Sequence, residues 1–300
     1  MSQAARDYGV IVGVDGSPAS NAAVAWAAHD AVLRHLPLTL VHVVNPVLAT
    51  WTYTPQPDGF AVWQENEGRR ILRDALKIGE DSVKHGESVP IESELIFSST
   101  VEALLDLSTH AELVVVGSSG RGALARGLLG SVSSSLVRHG HCPVAVIRDD
   151  DVLSSRRSNA PVLVGIDGSP RSELATTIAF DEASRRHVDL IAMHAWSDLE
   201  IFELPGLDWA AVKAEEERSL AERLAGWQEN YPDVTVQRVL VCDRPARALI
   251  ETSEGVQLVV LGSHGRGTFS GMLLGSVSNA VVQAIRVPVI VARSRDRENR

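Results

Sequence analysis

The chain repeats itself, and the repeat constrains its fold more than any other feature. Val12-Gly13-Val14-Asp15-Gly16-Ser17-Pro18 recurs as Val164-Gly165-Ile166-Asp167-Gly168-Ser169-Pro170, an offset of 152 residues. Gly117-Ser118-Ser119-Gly120-Arg121-Gly122 recurs as Gly262-Ser263-His264-Gly265-Arg266-Gly267, and Leu128-Leu129-Gly130-Ser131-Val132-Ser133 as Leu273-Leu274-Gly275-Ser276-Val277-Ser278, both at an offset of 145. Three motifs kept in order imply a tandem duplication, with the second copy seven residues shorter in its middle. The expected domains are residues 1–148 and 161–300, each long enough to bury its own core. Residues 149–160 join them, a stretch rich in Asp, Ser and Arg that lacks apolar periodicity and reads as a linker.

Each copy alternates between two periods. In the first, apolar runs at 8–14, 38–44, 113–116 and 143–147 read as strands, and 91–97 alternates polar with apolar as an edge strand does. Between them, 19–36, 63–85, 101–110 and 130–138 have helical spacing, and Ser17-Pro18 forms a helix start with serine as cap and proline in the first turn. The second copy places strands at 161–166, 190–195, 234–241, 258–261 and 288–291. Repeated strand–helix units call for a five-stranded parallel sheet with right-handed crossovers and helices on both faces. The expected architecture is therefore α/β, two tandem Rossmann-like, doubly wound domains, with ligand sites beyond the carboxyl ends of the strands.

Composition narrows the partners. With 45% hydrophobic and 22% charged residues the chain is globular in character, and a net charge of −10 with no basic run speaks against nucleic acid. The polar start and the lack of a long apolar run predict a cytoplasmic protein with no membrane partner. Two cysteines, Cys142 and Cys242, fall at unmatched positions, which suits a reducing compartment and no zinc site.

Chemistry concentrates in the glycine loops. Gly117-x2-Gly120-x9-Gly130-Ser131 leaves a strand and enters a helix, and Gly262-x2-Gly265-x9-Gly275-Ser276 repeats the spacing. Glycine lets backbone N–H groups approach an anion and permits positive φ, and a helix start adds unpaired donors and a positive dipole end. Ser131 and Ser276 could cap those helices and offer a hydroxyl to a phosphate. A capped flexible loop is the plainer alternative. There is no Gly-Lys-Ser/Thr, so the loop is not a P-loop. Asp15 and Asp167 end the first strand of each copy, and with Ser17 and Ser169 already capping, they are expected to accept from a ligand donor. His42 and His194 match across the repeat and read as core or supporting residues. His264 has Ser119 as its counterpart, so a catalytic base there is not duplicated. Arg121, Arg126 and Arg266 suit phosphate or plain surface equally. Trp51, Trp63, Trp209 and Trp227 read as helix-packing anchors.

On the Val-Gly-Val-Asp-Gly-Ser-Pro run, the glycine spacing and closing strands such as Cys142-Pro143-Val144-Ala145-Val146, the chain resembles the universal stress protein family in its tandem-domain, ATP-binding form. The likeness covers nearly all of both halves. It implies a flavodoxin-like strand order, 3-2-1-4-5. It also implies a nucleotide held in the first copy by Gly13, Val14, Asp15, Val43, Val116, Gly117, Ser118, Ser119, Gly120, Arg121, Gly122, Gly130, Ser131 and Val132. The second copy would use Gly165, Ile166, Asp167, Ala195, Leu261, Gly262, Ser263, His264, Gly265, Arg266, Gly267, Gly275, Ser276, Val277 and Ser278. The cofactor implied is ATP, two per chain, with Mg²⁺ held by the phosphates. The function implied is regulation of growth or of the stress and dormancy response, through a homodimer and a protein partner of unknown identity. The competing reading is a slow ATPase or nucleotidyl-transferring enzyme. The loops lack the paired carboxylate or duplicated histidine that such an enzyme would need, so at most weak hydrolysis is expected.

Overall fold

Val10–Gly13 (β1) is buried on both faces, as its unbroken apolar run requires, and lies between two parallel neighbours. In the computed structural model the residues described are 8–45, 59–83, 88–120, 129–149, 158–195, 209–242, 244–265 and 273–294. They fall into two units, 8–149 and 158–294.

In the first unit β1 leads into α1 (Pro18–Arg34), capped by Ser17, whose hydroxyl accepts from the Ser20 N–H. The helix ends at His35 in the left-handed region at φ 55°, and its N–H donates to the Ala31 and Val32 carbonyls. Next come β2 (Leu38–Val44), α2 (Phe60–Ser82), β3 (Ile91–Phe97), α3 (Thr100–Ser108), β4 (Leu113–Gly117), α4 (Ser131–His139) and β5 (Val144–Ile147). The strand order is β3-β2-β1-β4-β5, and every adjacent pair is parallel. This is the flavodoxin-like, doubly wound order, with its reversal between β1 and β4.

The second unit repeats the plan with β6 (Val162–Gly165), α5 (Pro170–Arg186), β7 (Leu190–Ala195), α6 (Trp209–Asn230), β8 (Val236–Val241), α7 (Pro245–Ser253), β9 (Leu258–Gly262), α8 (Ser276–Ala284) and β10 (Val289–Ala292). Its order is β8-β7-β6-β9-β10, again parallel throughout. Ser169 caps α5 as Ser17 caps α1, and His187 closes it at φ 53°. The central strands carry the core in both units: Ile11, Leu38, Leu40, Leu113 and Val114 in the first, and Leu163, Leu190, Val259 and Val260 in the second, have no exposed surface.

Two expectations need correction. Helix α2 begins at Phe60, a turn earlier than its charge pattern suggested. Trp63 is 60% exposed and stacks on Phe60 of its own helix rather than anchoring α2 to the sheet. Trp227 does anchor, stacking on the fully buried Phe180 of α5. Trp51 and the side chain of Trp209 lie outside the described residues.

Candidate functional site

Each unit opens a cavity at the carboxyl ends of its strands, where the order reverses. The first is about 390 Å³ and the second about 310 Å³. Both volumes lie in the range of small-molecule sites, roughly 300–1,000 Å³.

The turn after β1 builds one wall. Gly16 takes φ 77° and Gly168 takes φ 76°, the left-handed conformation that turns the chain from strand to helix. The Asp15 carboxylate then accepts from the Ser17 N–H at 2.9 Å through Oδ1, and Asp167 accepts from Ser169 at the same distance. These aspartates were expected to be available to a ligand; instead each holds its own turn and presents only part of its carboxylate to the cavity. Ser20 Oγ accepts from the Asp15 N–H, and Ser172 Oγ from the Asp167 and Gly168 N–H groups.

The glycine loop builds the facing wall. A Cβ on Gly117 would stand 2.7 Å from the backbone of Ala19, so glycine here lets the first turn of α1 rest on the end of β4. A Cβ on Gly120 would stand 2.6 Å from Asp15 Oδ2, and one on Gly265 would collide with Asp167 Oδ2. Neither glycine has the positive φ that sequence reasoning attached to it; their role is space beside a carboxylate. The loop is pinned to the first wall by Ser17 Oγ, which donates to the Ser119 carbonyl, and by Ser169 Oγ, which donates to the His264 carbonyl. Its return is set by the Gly130 N–H on the Ser118 carbonyl (2.7 Å) and the Gly275 N–H on the Ser263 carbonyl (2.8 Å).

The floor is the start of α4 or α8. Gly130 and Gly275 occupy the N-cap positions, and neither helix takes a side-chain cap. Ser131 and Ser276, expected as caps, are the first helical residues instead. Ser133 Oγ turns back to donate to the Ser118 and Gly130 carbonyls, and Ser278 Oγ donates to the Gly262 carbonyl. The first-turn N–H groups of both helices thus face the cavity without a side-chain acceptor, an arrangement suited to an anion.

The residues named from sequence largely converge. Gly13, Val14, Asp15, Val43, Val116, Gly117, Ser119, Gly120, Gly130, Ser131 and Val132 line the first cavity. Gly165, Ile166, Asp167, Ala195, Leu261, Gly262, His264, Gly265, Gly275, Ser276, Val277 and Ser278 line the second. Ser118 and Ser263 do not line them; both are buried beneath the loop, their N–H groups donating to the Ile147 and Ala292 carbonyls. Arg121, Gly122, Arg126, Arg266 and Gly267 lie outside the described residues. Sequence reasoning missed Ser20, Thr100 and Leu104 in the first cavity, and Ser172, Met193, Pro245 and Leu249 in the second. It also underrated His42 and His194. Both rings line the cavities, their Nδ1 2.6 Å from the Val14 and Ile166 carbonyls, which requires Nδ1 to carry the proton. His194 Nε2 also lies 3.3 Å from Glu216 of α6.

Two α/β units, each with a glycine-walled cavity ending on an uncapped helix start, define a tandem-domain protein of the flavodoxin-like class. The universal stress protein family pattern matches residues 9–148 and again 159–293, and the chain belongs to that family. It is 63% identical to universal stress protein Rv2005c of Mycobacterium tuberculosis over 98% of this chain and 99% of that one. It is 54% identical to universal stress protein Rv2623 of the same organism, with the same coverage. Among solved structures, a universal stress protein from Archaeoglobus fulgidus superimposes with a TM-score of 0.71 at 19% identity, covering 97% of this chain and 99% of that one, which supports the fold. Among the described residues no helix is long and apolar enough to cross a membrane, and no cluster of three or more His, Cys, Asp or Glu could hold a metal.

Proposed function

We propose that each unit binds one ATP and that the chain is a cytoplasmic regulator, controlling growth or the stress and dormancy response through nucleotide-dependent association. The observation that carries this reading is the uncapped start of α4 and of α8, opening onto a glycine wall in both units. A phosphate chain fits that anion-seeking floor, and the apolar slot of Val14, Val43, Leu104 and Val116 fits a flat base. Asp15 and Asp167 are the only carboxylates lining the described cavities, so Mg²⁺ would travel with the phosphates rather than in a protein cage. We read the chain as a binder with at most weak hydrolysis, a reading supported by the single carboxylate that each described cavity presents. Homodimerisation and contact with a protein partner belong to this reading. Mass analysis of nucleotide released from purified protein tests it: ATP at two per chain is the expected result. A chain that carries no adenine nucleotide, and that takes none up after stripping, would remove the proposal.

A further inference from the structure

The two cavities share one backbone frame but not one set of charges. Ser119 and His264 occupy the same place: each follows a buried serine, precedes the glycine that faces the turn aspartate, and accepts a serine hydroxyl on its carbonyl. Only the side chain differs. The His264 ring lies with Nδ1 3.3 Å from Ser263 Oγ, and the residue lines the second cavity beside Gly265 and Asp167.

Resting on the nucleotide reading, we propose that binding at the second site takes up a proton beyond any taken up at the first, with His264 as the residue that sets the difference. Imidazole is the side chain that changes charge near neutral pH. A polyphosphate arriving on the adjacent helix start favours the charged ring, so binding at this site draws a proton that Ser119 cannot take. Glu216 beside His194 and Arg223 against the Gly168 turn also bear on the second site, and the His264 variants leave both unchanged. Asp167, on the turn after β6, has its twin in Asp15. His194, on β7, has its twin in His42, though it alone meets Glu216 of α6. Glu173 of α5 lies 3.7 Å from Arg223 of α6. Helices α7 and α8 line the cavity with Pro245, Leu249 and Gly275 to Ser278, none of which titrates.

One bound proton changes affinity by up to about tenfold per pH unit. The affinity of the second site should therefore depend on pH more steeply than that of the first, tightening as pH falls.

The test is calorimetric titration of stripped, full-length protein with ATP near neutral pH, in two buffers of different ionisation heat. Their difference counts protons taken up per chain. Wild type should take up more than His264→Ser, which carries the residue of the first copy, and more than His264→Asn, which keeps a polar side chain of similar size. Ser119→His should take up more than wild type. The terminal phosphate of ATP titrates in the same range but contributes equally to all four. Equal proton counts in wild type and both His264 variants, with two ATP still bound, would overturn the inference. Absence of any ATP heat in wild type is a different result, and it removes the nucleotide reading itself.

Discussion

A methyl group added at Gly120 would press on the Asp15 carboxylate. It would stand 2.6 Å from Asp15 Oδ2, and the carboxylate cannot retreat without giving up the Ser17 N–H. Overpacking of this kind costs roughly 1–3 kcal/mol, and every 1.4 kcal/mol charged to the bound state is about tenfold in affinity. Gly120→Ala and Gly265→Ala are therefore expected to weaken ATP about tenfold or more, each at its own site, with the fold retained by circular dichroism; unchanged calorimetric affinities in both would refute the cradle. The spacing of these glycines was legible in the sequence, but the reason for them was not. Positive φ is carried by Gly16 and Gly168, one residue beyond the aspartates, because that is where strand turns to helix. Nor could sequence show that Asp15 and Asp167 spend part of their carboxylates on a turn. Ser20 and Ser172 did leave a signal, since they fall three residues after the capping serines in both copies.

Among elements, helix starts tie fold to site. Ser17 and Ser169 cap α1 and α5 and also hold the glycine loop by its carbonyl. Replacing either by alanine should cost about 1 kcal/mol of stability, the ordinary worth of a cap. It should weaken ATP at the same unit as well, which denaturant unfolding and calorimetry would report separately. At the far end of α6, the Tyr231 hydroxyl donates to Asp181 of α5 at 2.7 Å. Burial first, and that hydrogen bond second, push its pKa up to about 12. An unfolded tyrosine titrates near 10, so the folded chain keeps a proton that the unfolded chain loses. The stability this contributes is complete below about pH 10 and disappears as pH rises through 12. Tyr231→Phe should remove a late component from the alkaline phenolate titration and flatten the fall in stability across that window. Strands were the most legible elements, because burial on both faces leaves unbroken runs such as Leu113–Gly117. The start of α2 was the least legible, since Phe60 and Trp63 stack on each other and so blur its apolar stripe.

For the whole molecule, two equivalent frames predict additive responses. A ligand that binds only the folded state stabilises by about 2.7 kcal/mol at a hundred times its Kd. ATP should therefore raise the melting temperature of wild type. In Gly120→Ala and Gly265→Ala the gain should be confined to the unit left intact, and in the double variant it should vanish. A melting shift in the double variant equal to that of wild type would place the nucleotide elsewhere. The duplication was fully visible in the sequence because motifs survive it, whereas the inequivalence of the cavities rests on single side chains that only acquire meaning once the shared backbone is seen.

Every strand of the first unit, in the order β3-β2-β1-β4-β5, precedes residue 148. The first cavity is therefore encoded before the second copy begins. At roughly 5–20 residues per second a ribosome spends about 7–27 s on residues 158–294. Stalling synthesis within the second copy should expose a first unit already resistant to protease and already retaining ATP. The two copies would then mature one after the other on the ribosome, the first cavity open while the second is still being translated.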